Sequence, residues 1–311
     1  MPESSSQELN YTGVIPILPT PFFADEEVDF DSLVRLAAFA ASAGQSGLTI
    51  LGVLGEANSL TDAEATAIVR EVCSAATGLP VIVGAGRPGV RSTRTFIAAA
   101  AELGAAAAMV APPSMDGASE TLVTDYFSAV ATASPIPVII QDHPASTRVH
   151  ISAAVIARLI RELDEVIGLK CEAVPTGPKI RAVKALAPQA QVMTGLGALY
   201  AATDLAAGSD GFNTGFAFPE VLVALRRLAA GGDFARARAL YRKFLPLIVL
   251  EQHPGPAVRK EIWRRRGVIA SARVRSPGAQ LDNWLSGELT TVLADTFGAA
   301  DLSGAAPLPV C

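Results

Sequence analysis

The apolar run Val166-Ile167-Gly168-Leu169 ends in a lysine, Lys170. A strand-end lysine behind such a run is partly desolvated. That disfavours the ammonium and supplies the neutral amine needed to attack a carbonyl. The same residue can also snorkel to solvent, or pair with Glu172 or Glu56, and the lysine alone leaves these alternatives open. Glu172 lies two positions on, on the same face of an extended strand, and works against a depressed lysine pKa. The chain has 20 Arg and only 5 Lys, so a lysine kept at such a position is informative. A second candidate cluster, Gln141-Asp142-His143, ends the apolar run before Pro144. Gln141 and His143 share one face there while Asp142 points outward. The His143 imidazole suits general acid–base work, or it merely fixes the loop before Pro144. His150 and His253 have no convergent partners in the sequence and read as structural. Cys73, Cys171 and Cys311 are too widely spaced for a disulfide framework, and no Cys/His cluster has zinc spacing. Neither a metal nor a cofactor is expected.

These residues need a frame. Short apolar runs at 13–18, 47–53, 80–84, 107–111, 137–141, 166–170, 191–194 and 211–214 alternate with segments of helical periodicity. The helical segments fall near 31–43, 62–76, 92–103, 119–133, 152–163, 177–186, 199–207 and 219–230. The strand runs are continuously apolar, as expected of strands covered on both faces. Eight such units predict an α/β fold, a (β/α)8 TIM barrel over 11–230 with reactive groups at the C-terminal ends of its strands. No GxGxxG follows the first strand, which counts against a dinucleotide fold. Thr61 with Glu64, and Ser119 with Glu120, read as helix N-caps. Further helices at 233–250, 256–266 and 280–296 form a C-terminal helical region, 231–298, appended to the barrel. Residues 1–10 read as a disordered arm and 299–311 as a flexible tail.

Composition excludes several partners. A net charge of −5 with no long basic run argues against nucleic acid. Arg264-Arg265-Arg266 reads as a solvated helix face. The apolar runs are too short to span a bilayer, and the polar, acidic start does not resemble a signal peptide. The cytoplasm is the default compartment.

Several motifs occur in order: Pro19-Thr20-Pro21-Phe22, Gly52-x-x-Gly55-Glu56 with Ser59-Leu60-Thr61, Gly84-Ala85-Gly86, P-V-I-I before Pro144, and Gly168-Leu169-Lys170. Together they resemble the dihydrodipicolinate synthase/N-acetylneuraminate lyase family of class I aldolases, over about residues 11–298. The resemblance implies a barrel enzyme, a dimer or more usually a tetramer, in which Lys170 forms an imine with pyruvate or a related 2-oxo acid. No other cofactor is implied. The family's Tyr-Asn after strand five is Gln141-Asp142 here, and an amide does not relay protons as a phenol does. The two threonines of its strand-two turn are Val53 and Leu54, and the tyrosine expected after Pro112 is Ser114. Carboxylate binding through backbone N–H groups needs only the turn Val53-Leu54-Gly55. Asn213 matches a residue lining the family's 2-oxo acid site, and Arg148 lies two positions beyond its substrate-binding arginine. Gly195 permits close approach of backbone to ligand, or makes a tight turn. Glu56 orients the strand-two turn by accepting backbone N–H bonds, rather than acting in catalysis. The resulting expectation is a Schiff-base lyase that is not a true dihydrodipicolinate synthase. The alternatives are a 2-keto-3-deoxy sugar-acid lyase or dehydratase, and a non-catalytic 2-oxo acid sensor.

Overall fold

The computed structural model describes residues 9–76, 78–115, 117–304 and 306. Eight parallel strands follow one another around a sheet: β1 (Gly13–Val14), β2 (Leu48–Ile50), β3 (Val81–Gly84), β4 (Ala107–Val110), β5 (Val138–Asp142), β6 (Val166–Cys171), β7 (Gln191–Thr194) and β8 (Gly211–Phe212). β1 pairs with β8, and its seam with β2 closes through Leu18 N–H to Thr49 O (2.9 Å) and Thr49 N–H to Pro16 O (2.8 Å). The predicted barrel is therefore present. β1 is shorter than the expected 13–18 because Pro16 has no N–H to donate. Ile15 and Ile17 nevertheless keep their bonds to the β8 edge at 2.8 and 3.0 Å.

Helices α1 (Phe30–Ser42), α2 (Asp62–Ala75), α3 (Val90–Glu102), α4 (Glu120–Ala131), α5 (Pro144–Thr147), α6 (Ala153–Glu162), α7 (Thr176–Leu186), α8 (Ala201–Ala206) and α9 (Pro219–Ala230) alternate with the strands. Their inward stripes, such as Leu33, Leu36 and Ala37 of α1, pack on the sheet's outer face as a continuous core. Both expected caps are present. Thr61 and Glu64 exchange backbone bonds at 2.8 and 3.2 Å, and Ser119 accepts from Leu122 N–H at 3.2 Å. The single turn α5 was not expected. Proline at its first helical position preorganises it.

Inside the barrel a separate cluster of Tyr11, Ile15, Ile82, Met109, Ile139 and Met193 fills the space below the strand ends. Gly168 is where β6 accommodates this plug: a Cβ there would lie 2.9 Å from the Tyr11 ring and 2.5 Å from Gln191 O. The glycine of the I-G-L-K run thus makes room one layer beneath Lys170.

After the barrel come α10 (Phe234–Leu250), α11 (Pro256–Arg265) and α12 (Asn283–Phe297), the last capped by Asp282. α11 overturns one expectation, because the Arg264–Arg266 stretch is not a solvated face throughout. Arg266 follows the helix and is 1 % exposed, with its guanidinium among the rings of Phe39, Phe218 and Trp263. It donates to Glu220 Oε1 (2.7 Å), Leu302 O (3.1 Å) and Gly304 O (2.7 Å). Parts of the expected arm and tail are likewise packed. Leu9 is buried and Asn10 accepts from Gln191 at 3.1 Å, while Ala306 N–H donates to Glu220 at 2.7 Å. Of these two segments, 1–8, 305 and 307–311 lie outside the described residues. Among those residues no helix is long and apolar enough to cross a membrane.

Candidate active site

Pairing of β5 with β6 sets Gln141 beside Lys170 at the C-terminal end of the barrel. Strand parity turns Lys170 and Glu172 inward and Cys171 outward. Lys170 is 2 % exposed and its Nζ lies 3.1 Å from Glu172 Oε2. Glu172, 7 % exposed, accepts Gln141 Nε2–H at Oε2 (2.8 Å) and Leu196 N–H at Oε1 (3.1 Å). Burial is the largest single influence and pushes this carboxyl up. The Lys170 ammonium, His143, the Gln141 amide and the Leu196 N–H together outweigh it and hold the group below the usual carboxylate range. The two groups thus form a buried ion pair, with both oxygens of the carboxylate engaged.

A cavity of about 330 Å³ opens over this pair. Lys170, Glu172, Gln141 and His143 line it, with Val53 and Leu54 from the strand-two turn and Leu196 and Gly197 from the loop after β7. Ile17 and Thr214 of the barrel also line it, and the C-terminal region adds Arg259 and residues 252–256, among them His253, which reads as structural from the sequence alone. Gly195 exists for the carboxylate rather than for a ligand: a Cβ there would fall 2.2 Å from Glu172 Oε1. Gly195→Ala is therefore expected to displace Glu172 and lower turnover by at least about tenfold, with the circular-dichroism spectrum unchanged. Wild-type turnover in this variant would show that the position of Glu172 is immaterial.

Each expected residue has a definite place. Lys170, Gln141, His143, Val53 and Leu54 come together around the cavity. The Val53 and Leu54 N–H groups donate to no protein acceptor among the described residues, while Gly55 N–H is used by Gly52 O at 2.9 Å. His143 Nδ1 bonds Ser146 Oγ at 2.8 Å, which anchors the ring at the start of α5. Ser114 is exposed on an adjoining cavity of about 610 Å³ that shares Val53 and Gln141 with the first. Arg148 is exposed and left-handed (φ 60°) at the end of α5, outside both cavities. The turn begun by Pro144 carries it away from Lys170. Asn213 is fully buried within the barrel and is not among the cavity walls. Its Nδ2 donates to Ile15 O (2.9 Å) and Thr49 Oγ1 (2.8 Å), which fastens β8 to the β1–β2 seam. Glu56 does not hold its own turn. It accepts Arg275 N–H at 2.9 Å and pairs with Lys260, because a left-handed backbone (φ 54°) aims it at the C-terminal region. Asp142 points outward to Lys179, and the Cys171 thiol is pushed up by burial to about 12 and is inert.

Arg259 was not foreseen. It is 5 % exposed and its Nε donates to Glu251 Oε2 at 3.0 Å; its two Nη groups have no protein partner among the described residues. A Cβ on Gly197 would lie 2.7 Å from Nη2. The guanidinium thus reaches the cavity past a bare glycine, braced from behind by a buried carboxylate. The described residues contain no group of three His, Cys, Asp or Glu able to hold a metal.

Comparison with known proteins gives a consistent result. The sequence pattern of the dihydrodipicolinate synthetase family matches residues 10–295. An L-2-keto-3-deoxyarabonate dehydratase from Azospirillum brasilense is 32 % identical, over 93 % of this chain and 96 % of its own. A dihydrodipicolinate synthase from Rhodopseudomonas palustris superposes with a TM-score of 0.87 at 32 % identity, covering 91 % and 97 % of the two chains. An E. coli K12 prophage protein of the same family, solved with pyruvate, gives 0.84 at 28 % identity, covering 92 % and 98 %.

Proposed function

The chain belongs to the dihydrodipicolinate synthetase family, and from that premise we propose that it is a class I lyase forming an imine between Lys170 and a small 2-oxo acid. The reaction we favour is loss of water from a 2-keto-3-deoxy sugar acid. One observation carries the reading: the Lys170 amine is buried at a barrel strand end, faces a cavity of substrate size and touches a carboxylate. An amine so placed has a proton acceptor beside it and is held for addition to a carbonyl. The protonated imine that follows is an electron sink that acidifies C3, and a hydroxyl at C4 then leaves as water.

Dehydration is favoured over dihydrodipicolinate synthesis by two observations. Gln141 stands where a tyrosine would relay protons, and a relative similar over nearly its whole length is named for dehydrating a keto-deoxy pentonate. A family member solved with pyruvate supports a 2-oxo acid as the ligand class. In this reading the protein needs no cofactor beyond the imine. It works as a homo-oligomer in the cytoplasm, where its free cysteines stay reduced.

Arg259 is the anchor for the substrate carboxylate, assisted by the free Val53 and Leu54 N–H groups. A guanidinium offers a planar pair of donors that an ammonium lacks. Arg259→Lys is expected to raise KM about tenfold or more with a smaller change in kcat, in line with the worth of one charge-assisted hydrogen bond. An unchanged KM in steady-state kinetics would remove Arg259 from the binding site. The reaction itself is tested by incubating the protein with 2-keto-3-deoxy pentonates and following products by NMR. A product lighter by one water supports dehydration, release of pyruvate with an aldehyde indicates C–C cleavage, and no turnover of any such acid contradicts both.

A further inference from the structure

We propose that Glu172 is the acid–base catalyst of this site, the single group that moves protons to and from the Lys170 adduct; this rests on the imine reading above. Its Oε2 lies 3.1 Å from Lys170 Nζ, and among the described residues it is the one carboxylate lining the cavity. Two donors on different elements fix its plane, Gln141 Nε2–H from β5 and Leu196 N–H from the loop after β7. The absent Cβ of Gly195 leaves the space it fills. A carboxylate held on both oxygens cannot swing away, so Oε2 stays beside the Lys170 amine at the cavity.

The neighbouring groups are less suited to the task. Gln141 orients Glu172, but its amide does not exchange protons in the required range. His143 is tied to Ser146 at Nδ1 and belongs to the cavity rim. The Tyr11 hydroxyl is fully buried in the plug below, with no hydrogen-bond partner among the described residues. Burial, with the charge of Glu172 second, pushes it well above its ordinary value, and it stays protonated.

The proton steps balance with Glu172 alone. It accepts a proton from the Lys170 ammonium, and the neutral amine adds to the C2 carbonyl. Glu172 returns that proton to the new alkoxide. It then takes the second nitrogen proton and gives it to the departing hydroxyl, so water leaves and a protonated imine remains. Next it removes a C3 proton to form the enamine. The enamine electron pair expels the C4 hydroxyl, which takes the same proton from Glu172 and leaves as water. Hydrolysis of the unsaturated imine frees Lys170, and Glu172 ends as the carboxylate it began as.

Pyruvate isolates the C3 step, because its methyl protons exchange with solvent only through the enamine. In D2O the wild-type protein is expected to exchange them and to give a borohydride-trapped adduct. Glu172→Gln keeps the shape and the Gln141 side of the cavity. It is expected to lower exchange about 10²- to 10⁴-fold while the adduct still accumulates on long incubation with saturating pyruvate. Glu172→Asp, which retains the acid but retracts it, should fall between the two. Tyr11→Phe should exchange like the wild type. Exchange within threefold of wild type in Glu172→Gln, with the adduct present, overturns the assignment alone. So does exchange lost in Tyr11→Phe but kept in Glu172→Gln. Absence of any adduct in the wild type overturns the imine reading and this proposal with it.

Discussion

Lys170→Arg is expected to abolish turnover, by about 10³-fold or more, while leaving the fold intact. Arginine keeps the positive charge that Glu172 faces, so the buried ion pair has a substitute and the cavity wall stays charged as before. A guanidinium does not deprotonate at working pH and cannot add to a carbonyl. Loss of activity then reports loss of the nucleophile rather than loss of structure. Steady-state kinetics on a 2-keto-3-deoxy acid, paired with circular dichroism, makes the comparison. Turnover within tenfold of wild type would mean that Lys170 only binds, and a sensor-like or non-covalent mechanism would take its place.

The largest effect on stability is expected far from that amine. Arg266→Met should destabilise the protein by about 3–5 kcal/mol, the cost of breaking a buried pair by removing one partner. Glu220 would lose its cation at 2.7 Å, Leu302 O and Gly304 O would lose their donor, and three aromatic rings would lose the plate between them. Methionine fills most of the volume, so the loss measures the charge network rather than a cavity. Arg264→Ala in the same stretch should change stability by no more than about 0.5–1 kcal/mol, since its pair with Glu261 is half exposed. Urea denaturation of the two variants checks the contrast, and equal effects would contradict it.

Sequence and structure agree where local physics decides. The eight short apolar runs read as strands covered on both faces, and Thr61 with Glu64 closes a cap within four residues. Lys170 could be singled out because one strand carries both the apolar run and the amine. The inward parity of Glu172 was legible for the same reason, although its partners were not. Gln141 reaches it across a strand pair, and Gly195 clears its space from the end of the neighbouring strand on the other side. Arg259 was hidden for a stronger reason. It sits on α11, whose periodic pattern gives no sign that its N-terminal end folds over the barrel mouth. Arg148 looked better by position along the chain, but the α5 turn that displaces it depends on how Pro144 starts a helix. Asn213 ended its strand as expected, yet its amide is spent on the barrel seam, a demand set by the opposite end of the sheet. The burial of Arg266 likewise depends on α9 and residues 302–304 meeting it, contacts that no periodicity in Arg264–Arg266 announces.

Borohydride reduction in the presence of pyruvate and of a 2-keto-3-deoxy pentonate, followed by intact mass, tests the central claim most directly. The imine mechanism predicts one covalent adduct per chain, mapped to Lys170 by peptide sequencing and missing in Lys170→Arg. No adduct with any 2-oxo acid, or an adduct that persists in Lys170→Arg, would contradict it.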